Sequence, residues 1–392
     1  MKRILSRLLA FLLLLSILSS CGSREPAATA EADPGDPVAS FVQKLRSGAF
    51  DGDKLYDYED LSPYFSLGPY KGLSYPDDDY LRTEVTDQEL EDYLIVLILT
   101  QALEESDFTQ LTEGTVRKYD VVHIVTEGII DGQSYKDAST GEDGADLVIG
   151  SGTSIAGFEE GLTGQAIGST VTLHLTFSPY FGDETAAGKD VEFHITIESV
   201  RRAEIPDVTA AIINENFGTA FADVDSAREA LRASMNQDRT EQAWSSLSVY
   251  LQNKIMASST VNAYPEREVQ HYRTYFEGLF QGYAESEGIS LSDYLTERGY
   301  SAEEFEEDKD LYAKSSCELD LMSFSLARAE GITVSDDQIA SLISGLYENS
   351  GDFSSVQELI DYYVSLYGPF YFENYILYRS VMEMVIKAAV KQ

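Results

Sequence analysis

Residues 147–164, LVIGSGTSIAGFEEGLTG, contain the pattern from which the fold of this chain can be worked out. Three apolar residues from Leu147 to Ile149 end at Gly150, as a short strand would, and a turn then leads to Phe158. Glycine is favoured where the backbone needs a positive φ or a close approach. More glycines follow at Gly157, Gly161 and Gly164. The stretch therefore predicts a strand, a tight turn and a one-turn helix.

Apolar residues on either side of this stretch predict an antiparallel sheet. Val121 to Val125 is an apolar run, and Asp131-Gly132 is typical of a two-residue hairpin turn. Two later segments alternate apolar with polar residues, as half-buried strands do: Val171, Leu173, Leu175 and Phe177, then Val191, Phe193, Ile195 and Ile197. A sheet wrapped on one short helix is an α+β arrangement.

From Glu204 onward the pattern is helical. Capping boxes, in which Ser is followed three residues later by Glu or Gln, predict helix starts at Ser226, Ser301, Ser335 and Ser355, and a last helix runs from Phe370 to Val390. Because 392 residues exceed what one core usually supports, we expect a multidomain α+β protein. The predicted divisions are a signal peptide at 1–20, a disordered tether at 21–37, a small N-terminal domain at 38–114, the sheet domain at 115–202 and a helical domain at 203–392.

The N-terminus has the features of a secretory signal. Basic residues precede an apolar run from Leu8 to Leu18, which is too short to span a membrane. The run closes on Leu18-Ser19-Ser20-Cys21, which resembles the lipobox of bacterial lipoproteins. That resemblance implies that Cys21 is diacylated and becomes the first residue of a protein that is lipid-anchored to the outer face of the cell membrane; the alternative is an ordinary signal with a chance cysteine. Residues 22–37 are rich in Ala, Pro and acid, as a disordered tether is.

Composition excludes several classes of function. The 67 acidic against 28 basic residues, a net charge of −39, argue against binding to nucleic acid. Only two cysteines are present, and Cys317 is expected to be a small buried residue on a helix. The four histidines show no metal spacing, and the acidic runs lack the alternating ligands and turn glycine of a calcium loop. We therefore predict no metal and no cofactor, and no Ser-His-Asp or Cys-His arrangement is present.

The glycine-rich stretch resembles the signature of the FKBP-type peptidyl-prolyl isomerases, and in particular the isomerase domain of the trigger factor family. The segment FSLGPYKGL at 65–73, the capping box from Thr86 to Glu89, and the phrases IPDVTAAIINENFG at 205–218 and ITVSDDQIASLI at 332–343 also resemble trigger factor. The resemblance covers roughly residues 60 to 392. It implies an FKBP-like sheet followed by helical chaperone arms. This sequence has no counterpart of the basic ribosome-docking loop of that family, so we expect no ribosome as a partner.

The resemblance also implies site residues. By family position, Tyr135 is the aromatic after the hairpin, Phe158 the floor and Phe193 a wall of a proline-binding pocket. Phe181 comes from the loop after a strand, and the backbone N–H of Ile155 binds the substrate carbonyl. Two further residues are implied to bind substrate at positions that depart from the pattern: Thr126 stands where the family has an aromatic, and Asp137 comes one place after Lys136, where the family has an acid.

Three functions remain open. The first is a prolyl isomerase and folding chaperone for exported, proline-containing polypeptides. The second is a membrane-anchored holdase that grips unfolded apolar segments with little catalysis, favoured by Thr126 and Lys136. The third is the solute-binding lipoprotein of a transporter, suggested only by the anchor and the tether, and the order of strands before helices, without βαβ units, argues against it.

Overall fold

The computed structural model describes residues 35–217 and 221–392. The predicted signal peptide, most of the tether and Cys21 therefore lie outside the described residues. The chain divides into two compact units, one of residues 76–250 and one in which the residues up to 75 join residues 251–392. This division differs from the predicted one, in which residues 38–114 form a domain of their own.

The elements of the N-terminal half are α1 (Pro37–Arg46), β1 (Phe65–Ser66), β2 (Ser74–Tyr75), α2 (Asp87–Leu97), β3 (Phe108–Leu111), β4 (Val121–Ile130), β5 (Gln133–Tyr135), β6 (Ala145–Val148), α3 (Phe158–Leu162), β7 (Thr170–Thr176) and β8 (Asp190–Ala203). The later elements are α4 (Ala210–Phe217), α5 (Val224–Ser258), β9 (Thr260–Val261), α6 (Glu266–Ser286), α7 (Leu291–Glu297), α8 (Ala302–Glu330), α9 (Asp336–Ser350), α10 (Val356–Tyr367), α11 (Tyr371–Ala388) and β10 (Val390–Lys391).

The predicted antiparallel sheet is present in the unit of residues 76–250. Strand β8 pairs with β3 and β7 on one edge and with β4 on the other, and β4 also pairs with β5 and β6. The hairpin between β4 and β5 turns at Asp131 and Gly132, whose φ angles are 53° and 77°. Positive φ at both central residues is what this turn requires, so the hairpin prediction is confirmed. The inner face of the sheet and α3 share one hydrophobic core.

A second core in the same unit is helical. Leu90 and Leu94 of α2 pack with Ile213 of α4 and Ala227 of α5. Asp92 of α2 accepts hydrogen bonds from Lys118 Nζ at 2.8 Å and from the Tyr119 hydroxyl at 2.7 Å. These bonds tie the helical core to the segment that enters β4.

Residues 37–75 belong with the C-terminal helices because their apolar side chains complete that core. Helix α1 buries Val38, Phe41, Val42 and Leu45 among α9, α10 and α11. Strand β1 pairs with β9, and β2 pairs with β10. These long-range contacts are the physical reason why residues 37–75 group with the C-terminal helices in one unit.

The predicted helix starts at Ser301, Ser335 and Ser355 are confirmed, since each of these side chains accepts the backbone N–H three residues later. The predicted start at Ser226 is wrong: α5 begins at Val224, and Asp223 accepts the Ser226 N–H at 2.8 Å. The last helix ends at Ala388 rather than Val390, where β10 begins.

Cys317 is buried on α8, as predicted. Across the described ranges, which leave out residues 1–34 and 218–220, the structure contains no helix of the length and hydropathy that a membrane span needs.

Candidate functional site

The five aromatic and apolar residues predicted for the pocket lie on one hydrophobic core. Phe158 is the first residue of α3 and Phe193 is on β8, and both are buried in that core. Tyr135, Ile155 and Phe181 are partly buried and pack against it. The structure thus brings together residues that span 59 positions of the sequence, from 135 to 193. Whether these residues bind a substrate stays a prediction.

Phe158 and Phe193 form the base of this group. Their ring centroids are 5.0 Å apart and their planes meet at 85°, an edge-to-face arrangement. The two side chains are only 6% and 5% exposed. Both rings therefore serve the core as well as the candidate pocket.

Tyr135, Phe177 and Phe181 form a second aromatic group. Phe177 contacts Tyr135 edge-on at 6.0 Å between centroids and lies 4.5 Å from Phe181. The sequence pattern identified Phe177 only as a strand residue, yet it is the buried link between two candidate site residues. Its position next to the loop that carries Phe181 is the signal that could have revealed this.

Strand register explains how the two groups share a face of the sheet. Gly128 of β4 lies opposite Tyr135 of β5 on one side and opposite Phe193 of β8 on the other. Directly opposed residues point to the same face. A side chain at position 128 would come within 2.6 Å of the Ala138 methyl group and 3.3 Å of the Phe193 ring. Glycine is therefore required between the two rings.

Thr126 lies two residues before Gly128 on the same face, opposite Ile195. It is 8% exposed, and its hydroxyl has no hydrogen-bond partner among the residues that the structure describes. Its backbone N–H donates to Thr140 Oγ1 at 3.0 Å. A small side chain thus occupies a packed position, and a larger one would force its neighbours to move.

Glu159 organises the loop in front of α3, although in the sequence it looks like a solvated helix residue. It is 7% exposed. Its carboxylate accepts the N–H of Gly150 at 2.6 Å, of Gly152 at 3.3 Å and of Ser154 at 3.4 Å, and the Ser151 hydroxyl at 3.1 Å. This buried carboxylate fixes residues 150–154.

The N–H of Ile155 follows directly on the loop that Glu159 fixes. It has no acceptor in the part of the chain that the structure describes, while the Ile155 carbonyl accepts the Phe158 N–H at 3.1 Å. Gly157 closes the turn with a φ of 89°. A loop held rigid in this way, with the Ile155 N–H uncommitted at its end, suits the binding of a carbonyl oxygen.

Asp183 contacts the aromatic set through its carboxylate, although no sequence pattern points to it. The Tyr135 hydroxyl donates to Asp183 Oδ2, and Thr185 donates to Oδ1 through both its N–H and its hydroxyl at 2.7 Å. Burial and this hydrogen bond raise the pKa of Tyr135. Burial alone would raise the pKa of Asp183, but the bonds from Tyr135 and Thr185 outweigh it and lower that pKa.

Lys136 and Asp137, by contrast, are exposed on a short turn from Lys136 to Ala138. No hydrogen bond joins Asp137 to the aromatic set within the described residues. The predicted contact of Asp137 with substrate stays a prediction.

Over residues 35–217 and 221–392, no group of three or more His, Cys, Asp or Glu side chains is arranged to hold a metal ion. The site is instead a set of aromatic rings and one backbone donor. Such a set can bind an apolar ring and a carbonyl group without transferring a proton.

Two family models match separate parts of the chain. FKBP-type peptidyl-prolyl cis-trans isomerase matches residues 112–198, and the C-terminus of bacterial trigger factor protein matches residues 223–387. The chain has an isomerase-type domain followed by a trigger factor C-terminal region. The first match includes every residue of the candidate site, and α1 lies outside both.

Several trigger factors are similar to this chain over most of its length. The chain is 26% identical to trigger factor of Macrococcus caseolyticus over 74% of this chain and 66% of that protein. It is 27% identical to trigger factor of Halothermothrix orenii over 84% of this chain and 73% of that protein. It is 30% identical to trigger factor of Pelotomaculum thermopropionicum over 71% of this chain and 61% of that protein. The chain thus spans about two thirds of the length of these relatives. A solved trigger factor chaperone aligns over 98% of this chain with 17% identity and a TM-score of 0.30, too low to support a structural argument.

Proposed function

We propose that this protein is a peptidyl-prolyl isomerase and folding chaperone for exported polypeptides, anchored to the outer face of the cell membrane through Cys21. The observation that carries the proposal is the joint geometry of the site: Phe158 and Phe193 form an apolar base, Tyr135 and Phe181 lie beside it, and no acceptor for the Ile155 N–H is present among the described residues. An isomerase needs a dry slot for the proline ring and a donor for the neighbouring carbonyl.

The chemistry follows from the electronic structure of the amide. Rotation about an X–Pro bond crosses a barrier near 20 kcal/mol because resonance makes the C–N bond partly double. The planar amide is more dipolar than the twisted transition state, so an apolar pocket disfavours the ground state relative to the transition state. An acceleration of about 10⁶ requires about 8 kcal/mol. No acid, base or metal takes part in this mechanism.

Phe181→Ala is expected to lower kcat/KM for isomerisation of a tetrapeptide with an apolar residue before proline by about 10-fold, since the ring shields one side of the site. Phe181 is partly exposed on a loop, so we expect a stability loss below about 1.5 kcal/mol. The assay uses the chain from Gly22 onward. Tyr93→Ala, an exposed aromatic on α2, is the matched control and should leave the rate unchanged. A Phe181→Ala protein that folds normally and keeps the full rate would contradict the proposed site.

The anchor is tested separately. Cys21→Ala is expected to leave the precursor unprocessed or to release the protein into the medium, because the acyl chains are attached to that residue and two chains are needed for stable binding. The measurement is fractionation of membranes and medium with an antibody against the protein. Firm membrane binding of the processed Cys21→Ala protein would show that Cys21 is not the anchor.

The second candidate function, a holdase with little catalysis, is favoured by exposed aromatic rings on the C-terminal helices. Tyr283 of α6 and Tyr362 of α10 are 50% and 48% exposed. A fragment starting at Glu204 is a poor test, because it lacks α1 and with it part of the helical core. The full Phe181→Ala chain separates the two activities: it should slow aggregation of a denatured protein as well as wild type does, while isomerisation falls.

A further inference from the structure

We propose that Asp183 is a positioning residue for the isomerase site. Through its hydrogen bond with the Tyr135 hydroxyl, Asp183 holds the loop of residues 177–189 (the site loop) in place. This inference rests on the proposed function and adds to it a residue that does not itself touch the substrate. The site loop joins β7 to β8 and carries both Phe177 and Phe181. Its position therefore decides where two of the aromatic rings lie.

The first part of the site loop is held by contacts with residues 76–78 and with Tyr250. The Ser178 hydroxyl donates to Asp78 Oδ1 at 3.0 Å, and the Tyr180 hydroxyl donates to the carbonyl of Pro76 at 2.6 Å. The Tyr180 ring is buried and lies 5.0 Å from that of Tyr250. These contacts hold residues 178–180, but they do not fix the loop against the hairpin of β4 and β5.

Besides the packing of the Phe177 ring on Tyr135, polar side-chain contacts join the site loop to that hairpin. One is the ion pair of Lys189 with Asp131 at 3.0 Å, whose side chains are 44% and 75% exposed, and exposed pairs contribute little. Another is the hydrogen bond from Tyr135 to Asp183, which is partly buried. Bonds to an ionised group are stronger than neutral ones, and Thr185 holds the carboxylate in place with two more.

The same bond also fixes the Tyr135 ring. That ring packs edge-on against Phe177, which in turn lies against Phe181. Loss of the Asp183 carboxylate would free the loop and the ring together, so that fewer molecules have the site assembled at any moment. The apparent affinity for substrate falls in proportion to that fraction. The expected signature is therefore a higher KM with kcat nearly unchanged.

The test is Asp183→Ala in the chain from Gly22 onward. We expect KM for the proline tetrapeptide to rise about 10-fold, the effect of losing one hydrogen bond to a charged group, and hydrogen exchange of residues 178–188 to speed up by a similar factor. Asp183→Asn, which keeps an acceptor oxygen, should recover part of both losses. Glu142→Gln, at an exposed acid of the same domain outside the site loop, controls for the change in charge and should leave KM and exchange unchanged.

Tyr135→Phe removes only the hydroxyl, and together with Asp183→Ala it gives a double-mutant cycle. It should reproduce the Asp183→Ala effect, and the double variant should lose no more than either single variant, since residues that act through one bond are not additive. Additive losses, or loop exchange that stays at the wild-type rate in Asp183→Ala, would overturn the inference. If the wild-type chain shows no isomerisation, the proposed function fails instead, and the exchange experiment still decides whether Asp183 fixes the loop.

Discussion

Phe158→Ala is expected to lower the free energy of unfolding by about 3–5 kcal/mol, the usual cost of removing a buried aromatic ring. The Phe158 ring is 6% exposed and packs perpendicular to that of Phe193, so its loss leaves a cavity under the candidate pocket. Isomerase activity should disappear as well, because the base of the site is gone. Urea denaturation followed by circular dichroism measures the first effect and the tetrapeptide assay the second.

The comparison with Phe181→Ala makes this prediction specific. Both variants remove a phenyl ring from the same site, but Phe181 is partly exposed and lies on a loop. The loss of stability should therefore be several-fold larger for Phe158→Ala. Equal losses would mean that Phe158 does not serve the core as the structure indicates.

Local sequence signals predicted the features whose causes are local. The hairpin at Asp131-Gly132 follows from backbone preferences of adjacent residues, and the helix starts at Ser301 and Ser335 follow from bonds that span three residues. The Ser226 prediction failed for a local reason too. Asp223 lies three residues earlier and is an equally good cap, so the pattern alone could not choose between them.

The parts of the site that sequence reasoning missed depend on contacts between distant or buried residues. Asp183 meets Tyr135 across 48 positions of the chain, and no pattern within either segment indicates the pairing. Glu159 sits in a helix beside Glu160, and nothing in the two letters shows that one is buried and the other exposed. Which of the two side chains is buried depends on the side of α3 that faces the sheet.

The grouping of residues 38–75 with the C-terminal helices could not be read from the sequence for a similar reason. Residues 38–45 carry apolar side chains at helical spacing, but that spacing does not say which core they complete. In the structure they pack among α9, α10 and α11, about 300 positions later. Such placement requires knowledge of which apolar faces the other helices leave uncovered.

Arg202→Met is expected to destabilise the sheet domain by about 3–5 kcal/mol, because it removes the ion-pair partner of a buried carboxylate, although the Arg117 N–H still donates to that carboxylate at 2.7 Å. Asp120, just before β4, is 1% exposed and receives two bonds from Arg202 near the end of β8, at 2.6 and 2.7 Å. Asp120→Asn should cost less, about 2 kcal/mol, because the Arg202 side chain is 26% exposed and can be hydrated.

The double variant Asp120→Asn/Arg202→Met should be more stable than Arg202→Met alone, since no charge is then left buried without a partner. Urea denaturation of the four proteins gives the coupling directly. The Asp120 carbonyl also accepts the Ile149 N–H at 2.9 Å, directly before the loop that Glu159 fixes. Arg202→Met does not remove this backbone bond, so the variant should lose isomerase activity in proportion to its unfolded fraction and no faster. An activity loss that precedes unfolding would mean that the ion pair shapes the site itself. Equal losses in the free energy of unfolding for the two single variants would contradict the assignment of Asp120 as the buried partner.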